Sequence, residues 1–401
     1  MSAPYIHVLP GNPDFLDLDW SRPIEEWTHV RVVDLPTGVH RHPVRFVAYD
    51  EGIYALKELP LRLARHEFDV LRSLGERVTS VVSPVSVVER PWLDSSVEGA
   101  GVIITDYVRS AFTYHELIEA GGFGQRRDQL LGAFAGLLVE LHLGGCFWGD
   151  CSLSNVLYRY DAGTIEAIMI DAETVELHEQ LSEGQRLHDI EIMILNVAGG
   201  MADIAASQGI KITDADLALG EDIASRYELL WRELTEDVTI RSDERFRIRQ
   251  RVRRMHDLGF EVSDIELIPT DDGTDRLRLH VSVVGRNYHS NRLRELTRID
   301  ASKNQARRIL EDLRHHEAKT GSKSATDKAV AAIRWRVEVF EPLIARIAAD
   351  VTDRDPVQAY TDFLHHRYLM ATELGRDVAN DDAYERWRQE SYPGRLADNT
   401  P

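Results

Sequence analysis

The chain has 401 residues, 43% of them hydrophobic and 28% charged. That balance excludes an unfolded polymer and leaves room for two or three domains with cores of their own. The 47 basic and 67 acidic residues give a net charge of −20, a surface that repels phosphate backbones and anionic headgroups and so argues against nucleic-acid binding.

Met1 to Glu26 is rich in proline and acidic residues, with Trp20 and Trp27 as anchors for docking onto the next domain. Three strand-like runs come next: Val30–Leu35, Val44–Tyr49 and Ile53–Leu59. The last two are separated by Asp50-Glu51-Gly52, a hairpin signal. Leu61, Ala64, Phe68, Leu71 and Leu74 recur at helical steps, and Gly75 suits the helix end. Val81–Val88 and Gly101–Tyr107 read as further strands, and Leu130–Leu143 as an apolar helix. Short strands at 156–158 and 168–170 flank a turn, before helices at 187–208 and 216–234.

From Asp243 the character changes. A basic helix is followed by strands at 261–268 and 276–284, joined at Asp271-Asp272-Gly273. Helices are expected at 302–317, 325–349 and 356–374, with a mobile polar loop over 318–327. The start of the chain lacks a basic n-region with an apolar core, no stretch reads as a bilayer span, and Cys146 and Cys151 form no CxxC, so a cytoplasmic protein without disulfides or structural zinc is expected.

The most informative segment is Trp148-Gly149-Asp150-Cys151-Ser152-Leu153-Ser154-Asn155, followed by Ile168-Met169-Ile170-Asp171-Ala172-Glu173. Phosphoryl transfer needs one carboxylate to accept the proton of the attacking hydroxyl, and hard oxygen donors to hold Mg²⁺ against the phosphates. Asp150 suits the first task; Asn155 and Asp171 suit the second. This block resembles the catalytic loop and metal-binding motif of the protein-kinase-like superfamily. Its Gly-Asp-x4-Asn form is similar to the lipopolysaccharide-kinase and RIO-like branch.

The resemblance implies an α+β, two-lobed fold, with an antiparallel-sheet N-lobe and a helical C-lobe, and an ATP- and Mg²⁺-dependent phosphotransferase acting on a hydroxyl. It assigns Lys57, at the end of the third strand, to the α- and β-phosphates, and Glu67 on the following helix as its ion-pair partner. Glu58 is the weaker candidate, since it points to the opposite strand face. Asp106 and Val108 fall where hinge backbone meets adenine. Gly38, Arg41 and His42 occupy the phosphate-covering turn, which lacks GxGxxG and so offers side chains where backbone amides are usual. Asp189 matches the buried aspartate that braces the catalytic turn, although an N-cap is an equal reading. Glu173 is either a further metal ligand or a solvated carboxylate. Cys146 and Cys151, flanking the loop, are either redox-sensitive or small packing residues. With 17 residues between Asp171 and Asp189 there is no room for a long activation segment.

The expected domains are an N-terminal extension (1–28), the N-lobe (29–108), the C-lobe (109–240), a mostly helical C-terminal domain with a β-hairpin (241–392) and a disordered tail (393–401). The C-terminal part resembles an uncharacterised bacterial domain of unknown function attached to such kinase-like domains. Its arginine-crowded helix reads either as a solvated face pairing with this protein's own acids or as a dock for an acidic partner. The adjacent pairs His315-His316 and His365-His366 are poorly spaced for a metal. Expected partners are therefore ATP, an unidentified hydroxyl-bearing small molecule, glycan or protein, and a protein partner for the C-terminal domain. The alternative function is a pseudokinase, a nucleotide-binding scaffold; nucleotidyl transfer is a third.

Overall fold

The computed structural model describes residues 3–36, 41–119, 126–209, 211–270, 276–321, 324–352 and 354–391. Gly38, the Asp271–Gly273 turn and the tail 393–401 lie outside them. By contact the chain divides into two compact units. The first holds residues 1–159, 165–252 and 262–285; the second holds 160–164, 253–261 and 286–401.

The first unit begins with strand β1 (Tyr5–Val8), which the proline-rich composition conceals. β2 (Val32–Val33), β3 (Val44–Ala48) and β4 (Ile53–Leu59) come next, then helix α1 (Leu61–Gly75), β5 (Pro84–Glu89) and β6 (Gly101–Asp106). These strands form one sheet in the order β1-β5-β6-β4-β3-β2, with every neighbouring pair antiparallel. Alternation along β4 fixes its two faces. Leu56 enters a core with Val47, Val85, Val102 and Ile104, which the N-terminal segment covers with Phe15, Leu18, Trp20, Ile24 and Trp27. Trp20 and Trp27 meet edge to face, with ring centroids 5.1 Å apart, so both act as the anchors their composition suggested. Glu58 lies on this face, buried, pairing with Arg90 at 2.5 Å and accepting from the Ile24 backbone N–H at 3.0 Å.

Below the sheet come β7 (Ala111–Phe112), α2 (Tyr114–Glu119), α3 (Arg127–Leu143), β8 (Cys146–Phe147), β9 (Val156–Asp161), β10 (Thr164–Met169), β11 (Glu176–Leu177), α4 (Glu183–Gln208), α5 (Asp214–Leu217) and α6 (Leu219–Thr235). α3 is buried along most of its length and packs on α6, which packs on α4. Two joints tie this region to the sheet. Buried Glu140 of α3 accepts from the Thr79 backbone N–H and the Ser80 hydroxyl at 2.9 Å each. Met169 donates to Ser80 and accepts from Val82 through backbone groups. α4 starts earlier than expected because Ser182 and Gln185 form a capping box. By length and composition α4 is also apolar enough to cross a bilayer, over Glu183–Ser207. In the sequence the apolar run is interrupted near its start by Arg186, His188, Asp189 and Glu191.

The first unit ends with β12 (Val238–Arg241), the start of α7 (Arg245–Asp257), β13 (Glu261–Pro269) and β14 (Arg276–Gly285), in a sheet ordered β12-β14-β13. The sequence boundary at 241 assigns the last two strands to the C-terminal domain; the contact division groups them with the first unit instead. β14 pairs antiparallel with β12 and packs on α6, burying Leu279 and Val281.

The second unit is helical: α8 (Tyr288–Thr297), α9 (Lys303–Thr320), α10 (Ala325–Trp335), α11 (Glu341–Asp350), α12 (Pro356–Leu374) and α13 (Asn380–Ser391). A π-helical turn over Arg336–Phe340 joins α10 to α11. Much of the expected loop over 318–327 is helix: α9 runs to Thr320, ending at Gly321 in the left-handed region, and α10 begins with a Ser324–Asp327 capping box. Trp335, Tyr360, Phe363, Tyr384 and Trp387 fill the core. Buried Asp312 accepts from the Trp335 indole at 2.9 Å and pairs with Arg367.

Candidate active site

The face of β4 opposite the N-terminal segment opens on a cleft. Val44, Phe46, Ala55, Lys57, Ile103 and Thr105 supply its roof by strand alternation, and Asn155, Leu157, Ile170 and Asp171 its floor. Glu67, Asp106 and Val108 line it too. Six of the residues singled out by sequence thus share one cavity: Lys57, Glu67, Asp106, Val108, Asn155 and Asp171.

Lys57 Nζ lies 2.8 Å from the Glu67 carboxylate and 3.1 Å from Asp171 Oδ2. One lysine therefore joins the sheet, α1 and the strand end after β10. Glu67 is 1% exposed, and burial lifts its pKa above the usual carboxylate range against the pull of Lys57. Burial would lower the Lys57 pKa, but the two carboxylates outweigh it and hold the ammonium charged. At Asp171, burial acts to raise the pKa. Lys57 and the Glu173 backbone N–H, which donates to Oδ1 at 3.0 Å, reverse that and keep it ionised.

The Trp148–Asp150 turn is held from beneath by Asp189. This residue lies inside α4, fully buried, and so is a brace and not an N-cap; Ser182 is the cap. Its carboxylate accepts from the Trp148 and Gly149 backbone N–H groups at 2.8 Å each, and contacts His142 Nε2 at 3.1 Å and Cys151 Sγ at 3.4 Å. Gly149 has φ +77°, and a Cβ there would press on the Thr174 carbonyl at 3.2 Å, so the glycine before Asp150 is required by the turn. Trp148 is buried, stacks on Phe134 and donates its indole N–H to the Asp171 carbonyl at 3.2 Å. Both cysteines are buried and burial pushes their thiols up, which leaves them as packing residues and not redox sensors.

Asp150 is exposed and does not itself line the cleft, though its partner Asn155 does. Asn155 Nδ2 donates to its backbone carbonyl at 3.0 Å and to Oδ2 at 3.2 Å. Oδ1 accepts from Asn196 Nδ2 at 2.9 Å. The protein packed around the carboxyl raises its pKa, helped by the charges of Asp171 and Glu173, while the two amides pull it down. Sequence reasoning misses Asn196. It lies on α4 seven positions after Asp189, so the two are nearly two helical turns apart on one side; that spacing is the only available signal.

Arg41 is exposed and does not line the cleft, and Gly38 lies outside the described residues. His42 does not line the cleft; its Nδ1 lies 2.5 Å from Glu98 and its Nε2 3.1 Å from Glu173. Glu173 is accordingly neither a lone solvated carboxylate nor turned on Asp171. For Mg²⁺ the donor chemistry fits: Asp171 supplies carboxylate oxygens, and Asn155 spends its amide N–H on Asp150, which leaves Oδ1 without a hydrogen-bond partner among the described residues.

Residues 229–391 match a family described as "Domain of unknown function (DUF4032)". No curated protein matches the chain. Among solved structures, the chain is similar to "WaaP in complex with acyl carrier protein", at 18% identity over 56% of this chain and 89% of that one, with a TM-score of 0.33. It is also similar to the Rio2 kinase–ADP/Mg²⁺–phosphoaspartate complex from Chaetomium thermophilum, at 16% identity over 51% and 70%, with a TM-score of 0.32.

Proposed function

We propose that the first unit is an ATP- and Mg²⁺-dependent phosphotransferase that acts on a hydroxyl of a small molecule, glycan or protein. The observation that carries this reading is Lys57 spanning Glu67 and Asp171 in a cleft that also holds Asn155. Lys57, kept charged by its two carboxylates, meets the α- and β-phosphates; Glu67 orients it. Asp106 and Val108 offer backbone groups to adenine between the apolar walls Phe46, Ala55 and Leu157. Asn155 and Asp171 hold Mg²⁺, which when bound neutralises phosphate charge. Asp150 accepts the proton of the attacking hydroxyl, its carboxylate aimed by Asn155 and Asn196. Positioning and charge stabilisation supply most of the barrier lowering.

A nucleotide-binding scaffold is the second reading, favoured by one observation: His42, expected to meet phosphate, is engaged by Glu98 and Glu173. Nucleotide labelled at the α- or γ-phosphate, incubated with metabolite extract and with the protein alone, separates the possibilities. Transfer of γ-label that Asp150→Ala abolishes supports the kinase; transfer of α-label indicates nucleotidyl transfer; binding with neither transferred supports the scaffold.

A further inference from the structure

His289, the second residue of α8, is 5% exposed, and neither of its ring nitrogens has a hydrogen-bond partner. Leaving both polar atoms of a buried imidazole unmatched is costly, and native interiors rarely tolerate it without a ligand or a bound water. The surroundings show what kind of ligand would suit. Arg286 and His289 both lie against Gly259: a Cβ built there would stand 3.4 Å from Arg286 Cγ and 3.6 Å from His289 Cδ2. Gly259 has φ +91°. α9 packs on α8 and brings Arg307 and Arg314, seven residues apart and therefore on one face.

The charges bearing on His289 are Arg307, Arg314 and Arg286, opposed by Asp257. Among the described residues none of these three arginines has a carboxylate partner; Arg286 donates only to the Leu258 carbonyl at 3.3 Å. In a chain of net charge −20, three guanidiniums without a carboxylate partner bear on one buried ring, and Arg286 also lies over the Phe260 ring, 5.7 Å from its centroid.

We infer that the second unit carries a binding site for a phosphate group, formed by Arg286, Arg307 and Arg314 around the imidazole of His289. Guanidiniums match phosphate oxygens by geometry as well as charge. The ring supplies one N–H donor for a phosphate oxygen and one acceptor for the ligand's hydroxyl. Burial first, then the three guanidiniums, lower the pKa of His289 to about 4, so the imidazole is neutral at physiological pH and the arginines carry the attraction. Arg314 is exposed, Arg286 and Arg307 half-buried and His289 buried, which grades the site from solvent inward.

The test uses the full chain. Inorganic phosphate is titrated calorimetrically at fixed ionic strength into wild type, Arg307→Gln, Arg314→Gln, His289→Phe and, because phosphate could also settle in the Lys57 cleft, Lys57→Ala. In parallel, flotation with phosphatidylcholine vesicles with and without phosphatidic acid separates a lipid headgroup from a soluble phosphate. Wild type and Lys57→Ala should bind alike, in solution or on phosphatidic acid, and each arginine variant should lose about tenfold or more in affinity. Arg314 is exposed, so its variant tests the site with the fold intact, as circular dichroism would verify. No binding in wild type overturns the inference. So does binding that the arginine variants retain, or binding that only Lys57→Ala abolishes.

Discussion

The Lys57 cleft and the His289 cluster are built on opposite electrostatic plans. At the first the cationic groups have neighbours of the other sign: Lys57, in the cleft, serves Glu67 and Asp171, and His42, outside it, serves Glu98 and Glu173. Around His289 three guanidiniums have no carboxylate partner among the described residues. A self-satisfied site can hold its geometry before ligand arrives, which catalysis requires of groups that must not reorganise. An unsatisfied one is completed only by what it binds. The two regions thus differ in whether their charges are matched within the fold, which is what the proposed phosphotransfer site and the proposed phosphate site each require.

The largest effects should come from the turn and its brace. Asp150→Ala should lower turnover by at least about 10²-fold while sparing nucleotide affinity, whereas Asp171→Ala should weaken Mg·ATP binding itself; rapid-quench transfer and nucleotide titration measure the two, and identical behaviour of both variants would dissolve the division of labour. Asp189→Ala strands two backbone N–H groups and His142 in the interior, and should cost about 3 kcal/mol or more of stability, read from denaturant midpoints. An unchanged midpoint would mean that the turn stands without its brace.

Asn196→Ala should act more gently. Loss of its hydrogen bond lets the Asp150 pKa rise, so the acidic limb of the kcat profile should move to higher pH with KM for ATP unchanged, and kcat should fall about tenfold at neutral pH. Asn196→Asp would place a like charge at the same spot and move the limb further in the same direction. If the profile stays fixed in both variants, Asn196 merely packs.

The smallest effect concerns the other region. A histidine whose folded pKa lies near 4 and whose unfolded value is near 6.5 costs stability as pH falls below the unfolded value, because the unfolded chain then binds the proton the folded one refuses. Wild type should lose up to about 1.4 kcal/mol per pH unit from this group between pH 6 and 5, relative to His289→Phe. Arg286, Arg307, Arg314 and Asp257 are the charges that set the shift. Parallel pH dependence in the two proteins would remove the buried neutral imidazole from the account.

Sequence exposes the parts of the site whose chemistry is local. Gly149, Asp150, Asn155 and Asp171 lie within one short stretch and have the spacing the proposed phosphotransfer would need; Lys57 and Glu67 follow from a strand ending next to an amphipathic helix. What stays hidden depends on distant partners. Asn196 is an unremarked amide on a long helix until α4 turns it toward Asp150. His42 reads as a phosphate contact because its partners, Glu98 and Glu173, are 56 and 131 positions away. β1 escapes notice because it pairs with β5, some 80 residues on, and the pairing of β14 with β12 and its packing on α6 depend on partners the local sequence does not show. In the second unit the helices are legible by period, but an imidazole with no partner leaves no mark in a sequence.

The proposed function requires Lys57, Glu67 and Asp171 to receive Mg·ATP, and thermal unfolding with ATP, with and without Mg²⁺, in wild type and Lys57→Ala tests this most directly. At about 100 times the dissociation constant, ligand should stabilise wild type by about 2.7 kcal/mol, only weakly without Mg²⁺ and not at all in Lys57→Ala at the same concentration. A shift of equal size in both proteins, or none in wild type, would contradict it.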